Sequence, residues 1–191
     1  MTARRGIRLD DVVDVATELV EKEGASALTL SRVARELGIK TPSLYSHVDD
    51  VDALRRHVAL RATDDLGTQL IAAAMGRAGA GALRAVAQAV RHYATTHRGM
   101  YELAARARPG DEEYENAALR TLQPVIAVLR DYALDDAETI HAARMLRSAV
   151  HGFVSLEING GFGLDTDVDE SFEWMVQRLA GTLAGSTEPV E

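Results

Sequence analysis

Apolar residues along this chain recur every three or four positions almost everywhere, and no stretch alternates with the period of two that a half-buried strand requires. The first such run, Leu9 to Glu23, places Val12, Ala16, Leu19 and Val20 on one face and stops at Gly24. A second, Leu30 to Leu37, aligns Leu30, Val33, Ala34 and Leu37, with Thr29 as its expected N-cap and Gly38 as a left-handed exit. A third is expected to begin at a capping Thr41, with Pro42 in the first turn where no N–H is needed, and to end near His47. Asp49 and Asp50 then open a long helix to about Met75. Further helices are expected near Ala82–His97, Glu112–Tyr132, Asp136–Ile158 and Val168–Ala184, with a short one between Gly99 and Arg106. Pro124 should kink or loosen its helix, and "NGGFGLDTD" from Asn159 makes a glycine-rich connection. The fold class is therefore all-α, read as residues 1–49 followed by a helical body over residues 50–191.

Composition narrows the classes of function. There is no Cys, no apolar run of about 20 residues, and no apolar stretch at the N-terminus, so a cytoplasmic protein without disulfides or a membrane span is expected. A net charge of −8 argues against a polyanionic partner until its distribution is considered. Residues 1–61 hold ten basic and ten acidic side chains, so all the excess acid lies beyond them. Arg4, Arg5 and Arg8 precede the first helix, and between Gly24 and Val48 the basic Arg32, Arg35 and Lys40 face one acid, Glu36. A basic face on an acidic protein is compatible with nucleic acid.

The segment "LGIKTPSLYSHV" sharpens that expectation. Two short helices joined by "GIK" make a helix-turn-helix in which Ala34 permits close packing and Ile39 and Leu44 plug the wedge. The second helix is too short and polar to serve mainly as core, and its Lys40, Thr41, Ser43, Tyr45, Ser46 and His47 carry groups that reach phosphates or base edges in a major groove. The same turn also occurs in packing hairpins, where Tyr45 would be a core aromatic and His47 a surface histidine.

"LTLSRVARELGIKTPSLYSHV" resembles the DNA-binding signature of the TetR family of bacterial transcriptional regulators, and "DALRRHVALRA" resembles the start of that family's linking helix. "HGFVSLEINGGFGLDTDVDESFEWMVQRL" is similar, more loosely, to the C-terminal end of many members. The resemblance implies an N-terminal three-helix helix-turn-helix domain and a C-terminal helical domain for ligand binding and dimerisation. It also implies a homodimer that binds a palindromic double-stranded operator, usually as a repressor, and releases it when a small-molecule effector binds. Carried over, Thr29 and Thr41 become phosphate-contacting caps, Lys40 a backbone contact, Pro42 part of the same segment, Ser43 and Ser46 base readers, and Tyr45 and His47 phosphate grips. The sequence departs from the family where a lysine often follows the recognition helix: Val51 stands there among Asp49, Asp50 and Asp52. Arg4, Arg5 and Arg8 would have to supply the missing charge, or binding would weaken.

The last two helices suggest the dimer. Val168, Phe172, Val176, Leu179 and Leu183 form one stripe, and Leu146, Val150, Phe153 and Val154 belong to a helix that is apolar round more than one face. Such a helix needs its own core on one side and a partner on the other, most simply a second copy in a four-helix bundle. Both faces could instead be satisfied within one subunit. Candidate effector contacts are His92, Tyr93, Met100, Tyr101, Leu122, Ile126, Met145 and Phe162, while Arg106, Arg108 and Arg147 read as surface charges. No phosphate loop, dinucleotide fingerprint, H-E-x-x-H or paired Glu-x-x-His motif is present, so neither an enzyme nor a cofactor or metal is expected. The rival to a DNA-binding regulator is a helical dimer that has lost DNA binding and acts as an adaptor or small-molecule sensor.

Overall fold

A computed structural model describes residues 6–106 and 108–185; Arg4 and Arg5 lie outside the described residues. Among them the chain forms eight α-helices and no strand. The first, α1 (Leu9–Glu23), is opened by Asp11, whose carboxylate accepts the Arg8 N–H at 2.7 Å. It ends at Gly24, whose N–H reaches the Val20 carbonyl at 2.8 Å with φ +86°. The short α2 (Leu30–Glu36) starts at Thr29, where the hydroxyl oxygen accepts the Arg32 N–H at 3.4 Å, and leaves through Gly38 at φ +67°. Only a residue tolerant of the left-handed region makes that turn without strain.

The third run is tighter than its pattern suggests. Residues Thr41–Ser46 form a 3-10 segment with Pro42 in its first turn. Thr41 is not its cap: Lys40 holds that position, and no side chain caps the segment. Leu44 is fully buried in the common core, and the segment packs against α2.

Two longer elements join this unit to the rest. The linking helix α3 (Val51–Ala74) is capped by Asp50, which accepts the Ala53 N–H at 2.7 Å. It is buried on several faces because α1, α4, α5 and α6 all pack on it. After α4 (Gly79–Thr96), the short α5 (Arg98–Ala105) runs back against the end of α1. Gly99 is essential to that approach, since a Cβ there would lie 2.5 Å from the Val20 carbonyl oxygen. The body is completed by α6 (Glu112–Leu129), which continues through Pro124, by α7 (Asp136–Ile158) and by α8 (Val168–Gly185). One buried apolar core runs from α1 to α8.

Arg91 clamps α4 to the α7–α8 corner. Its guanidinium meets Glu157 at 2.8 and 2.5 Å and Asp169 at 2.6 Å, and lies 4.8 Å from the centre of the Phe172 ring. Phe153 packs between Phe162 and Phe172 at ring separations of 4.7 and 5.2 Å.

Candidate nucleic-acid interface and ligand cavity

The helix-turn-helix presents its polar groups on one outer face. Pro42, Ser43, Tyr45 and Ser46 are exposed, Thr41 and His47 are half-buried, and Lys40 is exposed with no ion pair among the described residues. Tyr45 is 58% exposed, which excludes its alternative role as a core aromatic. The Ser46 hydroxyl donates to the Ser43 carbonyl at 2.8 Å, leaving its oxygen free to accept. Thr29 is exposed at the start of α2, where its hydroxyl oxygen accepts the Arg32 N–H.

Several charges near this face are already committed. Arg32 pairs with Glu23, and that guanidinium holds the Glu23 carboxyl below its ordinary value. Arg8 lies within 4.0 Å of Asp10 and 3.8 Å of Asp11. The acidic run has local duties as well: Asp50 caps α3, and Asp52 meets Arg55 at 2.7 Å. Those contacts offset part of the repulsion that Asp50 and Asp52 would exert on a phosphate backbone.

In the body, a cavity of about 470 Å³ lies among α3, α4, α5, α6 and α7. Its volume falls within the range of small-molecule sites, roughly 300–1,000 Å³. The wall is mainly apolar, from residues such as Leu66, Leu70, Val86, Val125 and Leu146. Ala118, Leu122, Ile140, Arg144, Arg147 and His151 are its exposed members, so the mouth lies between α6 and α7. Inside, Thr121 donates to the Ala117 and Thr63 carbonyls at 3.1 and 3.3 Å, and the Tyr101 hydroxyl lies 2.9 Å from His151 Nδ1. Burial pushes the Tyr101 phenol up, against the opposing field of Arg147.

Of the residues expected at a ligand site, Tyr101, Leu122 and Ile126 line this cavity. The other five do not. His92 is exposed on α4, Tyr93 is buried and donates its hydroxyl to the Ala62 carbonyl at 3.1 Å, and Met100 is core. Met145 packs half-buried beside the core, and Phe162 stacks on Phe153 at the α7–α8 corner. Arg147, read as a surface charge, is exposed and also borders the cavity. The wall also includes Arg144 and His151, which the sequence marks only by the i, i+4, i+7, i+11 spacing that puts Ile140, Arg144, Arg147 and His151 on one helix face.

The expected dimer surface also needs correction. Leu146, Val150, Val154, Phe172 and Val176 are buried in the chain's own core, and Phe153 and Leu179 pack partly against it. The periodic stripe had identified the inward face. The outward faces of α7 and α8 instead carry Ser148, Gly152, Ser155 and Leu156, and Trp174, Gln177, Arg178 and Gly181. Trp174 and Leu156 are 61% and 51% exposed.

A helix-turn-helix joined by a linking helix to a hollow helical body defines a class of helix-turn-helix regulators, and the comparisons with known proteins identify the family. Residues 12–58 match the model for bacterial regulatory proteins of the tetR family, and residues 83–179 that for the tetracyclin repressor-like C-terminal domain. The uncharacterized HTH-type transcriptional regulator Rv0681 of Mycobacterium tuberculosis is 41% identical over 93% of this chain and 82% of its own length. Two solved structures share the fold. BioQ with its double-stranded DNA operator has a TM-score of 0.68 at 22% identity, over 94% of this chain and 99% of its own. A TetR variant from Acinetobacter baumannii in complex with minocycline has a TM-score of 0.73 at 20% identity, over 96% and 100%. The chain belongs to the TetR family of bacterial transcriptional regulators. Among the described residues no helix is long and apolar enough to cross a membrane.

Proposed function

We propose that the protein is a repressor that binds a palindromic operator as a homodimer and releases it when a small molecule fills the cavity between α3 and α7. The observation that carries this reading is the position of α5. Its Tyr101, Ala104 and Ala105 form cavity wall, while its Gly99 touches Val20 and Gly24 at the end of α1. Just before α5, His97 Nδ1 lies 2.7 Å from Glu21 of α1. A ligand that displaces the wall of α5 thus acts on the DNA-binding unit through a contact with no slack. The linking helix adds a second route, since Thr63, Leu66 and Leu70 face the cavity and Arg61 holds Asp14 of α1 at 2.6 Å.

In this reading the unit before residue 50 contacts DNA. Lys40, Thr41, Tyr45, His47 and the arm with Arg4 and Arg5 take phosphates, and Ser43 and Ser46 meet base edges. The outward faces of α7 and α8, with Trp174 and Leu156, form the two-fold interface, and the symmetry axis sets two recognition segments about 34 Å apart, one turn of DNA. A ligand that favours the spread state by about 3 kcal/mol lowers operator affinity roughly a hundredfold. The reading is supported by two proteins that share this fold, BioQ in complex with its DNA operator and a TetR variant in complex with minocycline.

The adaptor reading rests on Asp49, Asp50 and Asp52, and the commitment of Asp50 to a helix cap and of Asp52 to Arg55 weakens it. Selection of duplexes from a random library at two salt concentrations tests the proposal. Enrichment of a palindrome with steeply salt-dependent affinity supports the regulator, and no enrichment by a folded dimer supports the adaptor.

A further inference from the structure

The cavity wall has an asymmetry of charge that points to the chemistry of its occupant. In a chain with 29 Asp and Glu against 21 Lys and Arg, the wall contains Arg144 and Arg147 but no acidic side chain. Neither arginine has a hydrogen bond or ion pair within the described structure, whereas Arg56, Arg61, Arg91 and Arg120 each hold a carboxylate. Both stand on the face of α7 that borders the mouth, one turn apart, with His151 a further turn along. Behind them the wall is apolar, and Thr63 and Thr121 have spent their hydroxyl protons on backbone carbonyls.

We propose that the effector is an amphiphilic organic anion, its apolar body inside the cavity and its carboxylate or phosphate head at the mouth between Arg144 and Arg147. The proposal rests on the cavity being the effector site and adds the chemical class of the effector. Arginine forks bind either head in bidentate fashion, and such charge-assisted bonds are roughly twice as strong as neutral ones. An apolar body suits the wall because burying it leaves no polar group without a partner. A neutral molecule of the same shape would gain no such charge-assisted bond.

The test uses the full chain and Nile red, a neutral apolar dye, as the reporter of cavity occupancy. Decanoate, decyl phosphate, methyl decanoate and decan-1-ol compete for the dye on the wild type, on an Arg144→Gln/Arg147→Gln double variant, and on Ala118→Trp. Ala118 is an exposed wall residue, so the indole narrows the cavity without burdening the core. At least one anion is expected to displace the dye about tenfold better than the ester and the alcohol. The double variant should lose that preference while keeping its affinity for the dye, and comparison of the two anions identifies the head. If ester and acid compete equally, or the preference survives loss of both arginines, the anionic class is wrong although the cavity still binds. If Ala118→Trp leaves dye binding unchanged, the dye does not occupy this cavity and the effector-site reading fails with it.

Discussion

Replacing Gly99 with alanine places two physical effects in opposition, and the structure decides between them. Alanine is the better helix former, and at an unobstructed helical glycine the exchange gains roughly 0.5–1 kcal/mol. At Gly99 the added Cβ would lie 2.5 Å from the Val20 carbonyl oxygen, 2.8 Å from Val20 Cγ1 and 3.2 Å from Gly24 Cα. The carbonyl cannot easily retreat, because it accepts the Gly24 N–H that ends α1 at 2.8 Å. Overpacking of this kind costs about 1–3 kcal/mol, more than the propensity returns. The net loss of up to about 2 kcal/mol should lower Tm by up to about 8 °C in a chain of this size. Gly81 in α4 is the control: a Cβ there meets nothing within 4 Å, so Gly81→Ala should raise Tm slightly. Differential scanning calorimetry of both variants is the assay. A Gly99→Ala protein as stable as the wild type, or more so, would refute the tight contact between α5 and α1 and with it the direct route from cavity to DNA.

Tyr45→Phe should leave Tm unchanged, given that Tyr45 is 58% exposed, and should weaken operator binding about fivefold by removing one hydrogen bond; equal affinity in a gel-shift titration removes that phosphate contact. Trp174→Glu combined with Leu156→Glu, both on the outward faces of α7 and α8, should convert the dimer to monomer in sedimentation velocity, whereas an intact dimer would place the interface elsewhere. The link between α3 and α6 should respond to acid. Arg56 holds Asp111 at 2.5 and 2.6 Å and keeps its carboxyl below the ordinary value of 3.8. The unfolded chain then takes up that proton more readily, so the contribution is complete above the ordinary value and is lost as pH falls through the lowered folded value. Asp111→Asn should flatten the acid side of the stability profile between roughly pH 5 and pH 2; an unaltered slope would show that other carboxylates carry it.

Much of this architecture can be read in the chain because helical periodicity and its punctuation are local. Gly24 and Gly38 adopt the left-handed backbone their positions imply, and Thr29 caps α2 as its spacing before Arg32 suggests. The recognition segment is a 3-10 turn rather than a regular helix, and Thr41 lies inside it instead of capping it. A six-residue pattern with proline in its first turn does not separate the two geometries. Periodicity also fails to say which of two apolar faces meets a partner. On α8 the strong stripe through Phe172 and Val176 is the chain's own core, and the outward face is marked only by Trp174 beside small and polar residues. The cavity was the least legible feature. Its position depends on how five helices leave space between them, and an exposed arginine at a cavity mouth such as Arg147 has no local signature separating it from any other solvated one.

The account stands most directly on operator recognition. Purified protein should be equilibrated with random duplexes at low and high salt, and the retained sequences read. A palindrome with half-sites one helical turn apart, bound with an affinity that falls steeply as salt rises, is the predicted result. A folded, dimeric protein that enriches no sequence at either salt concentration would contradict it.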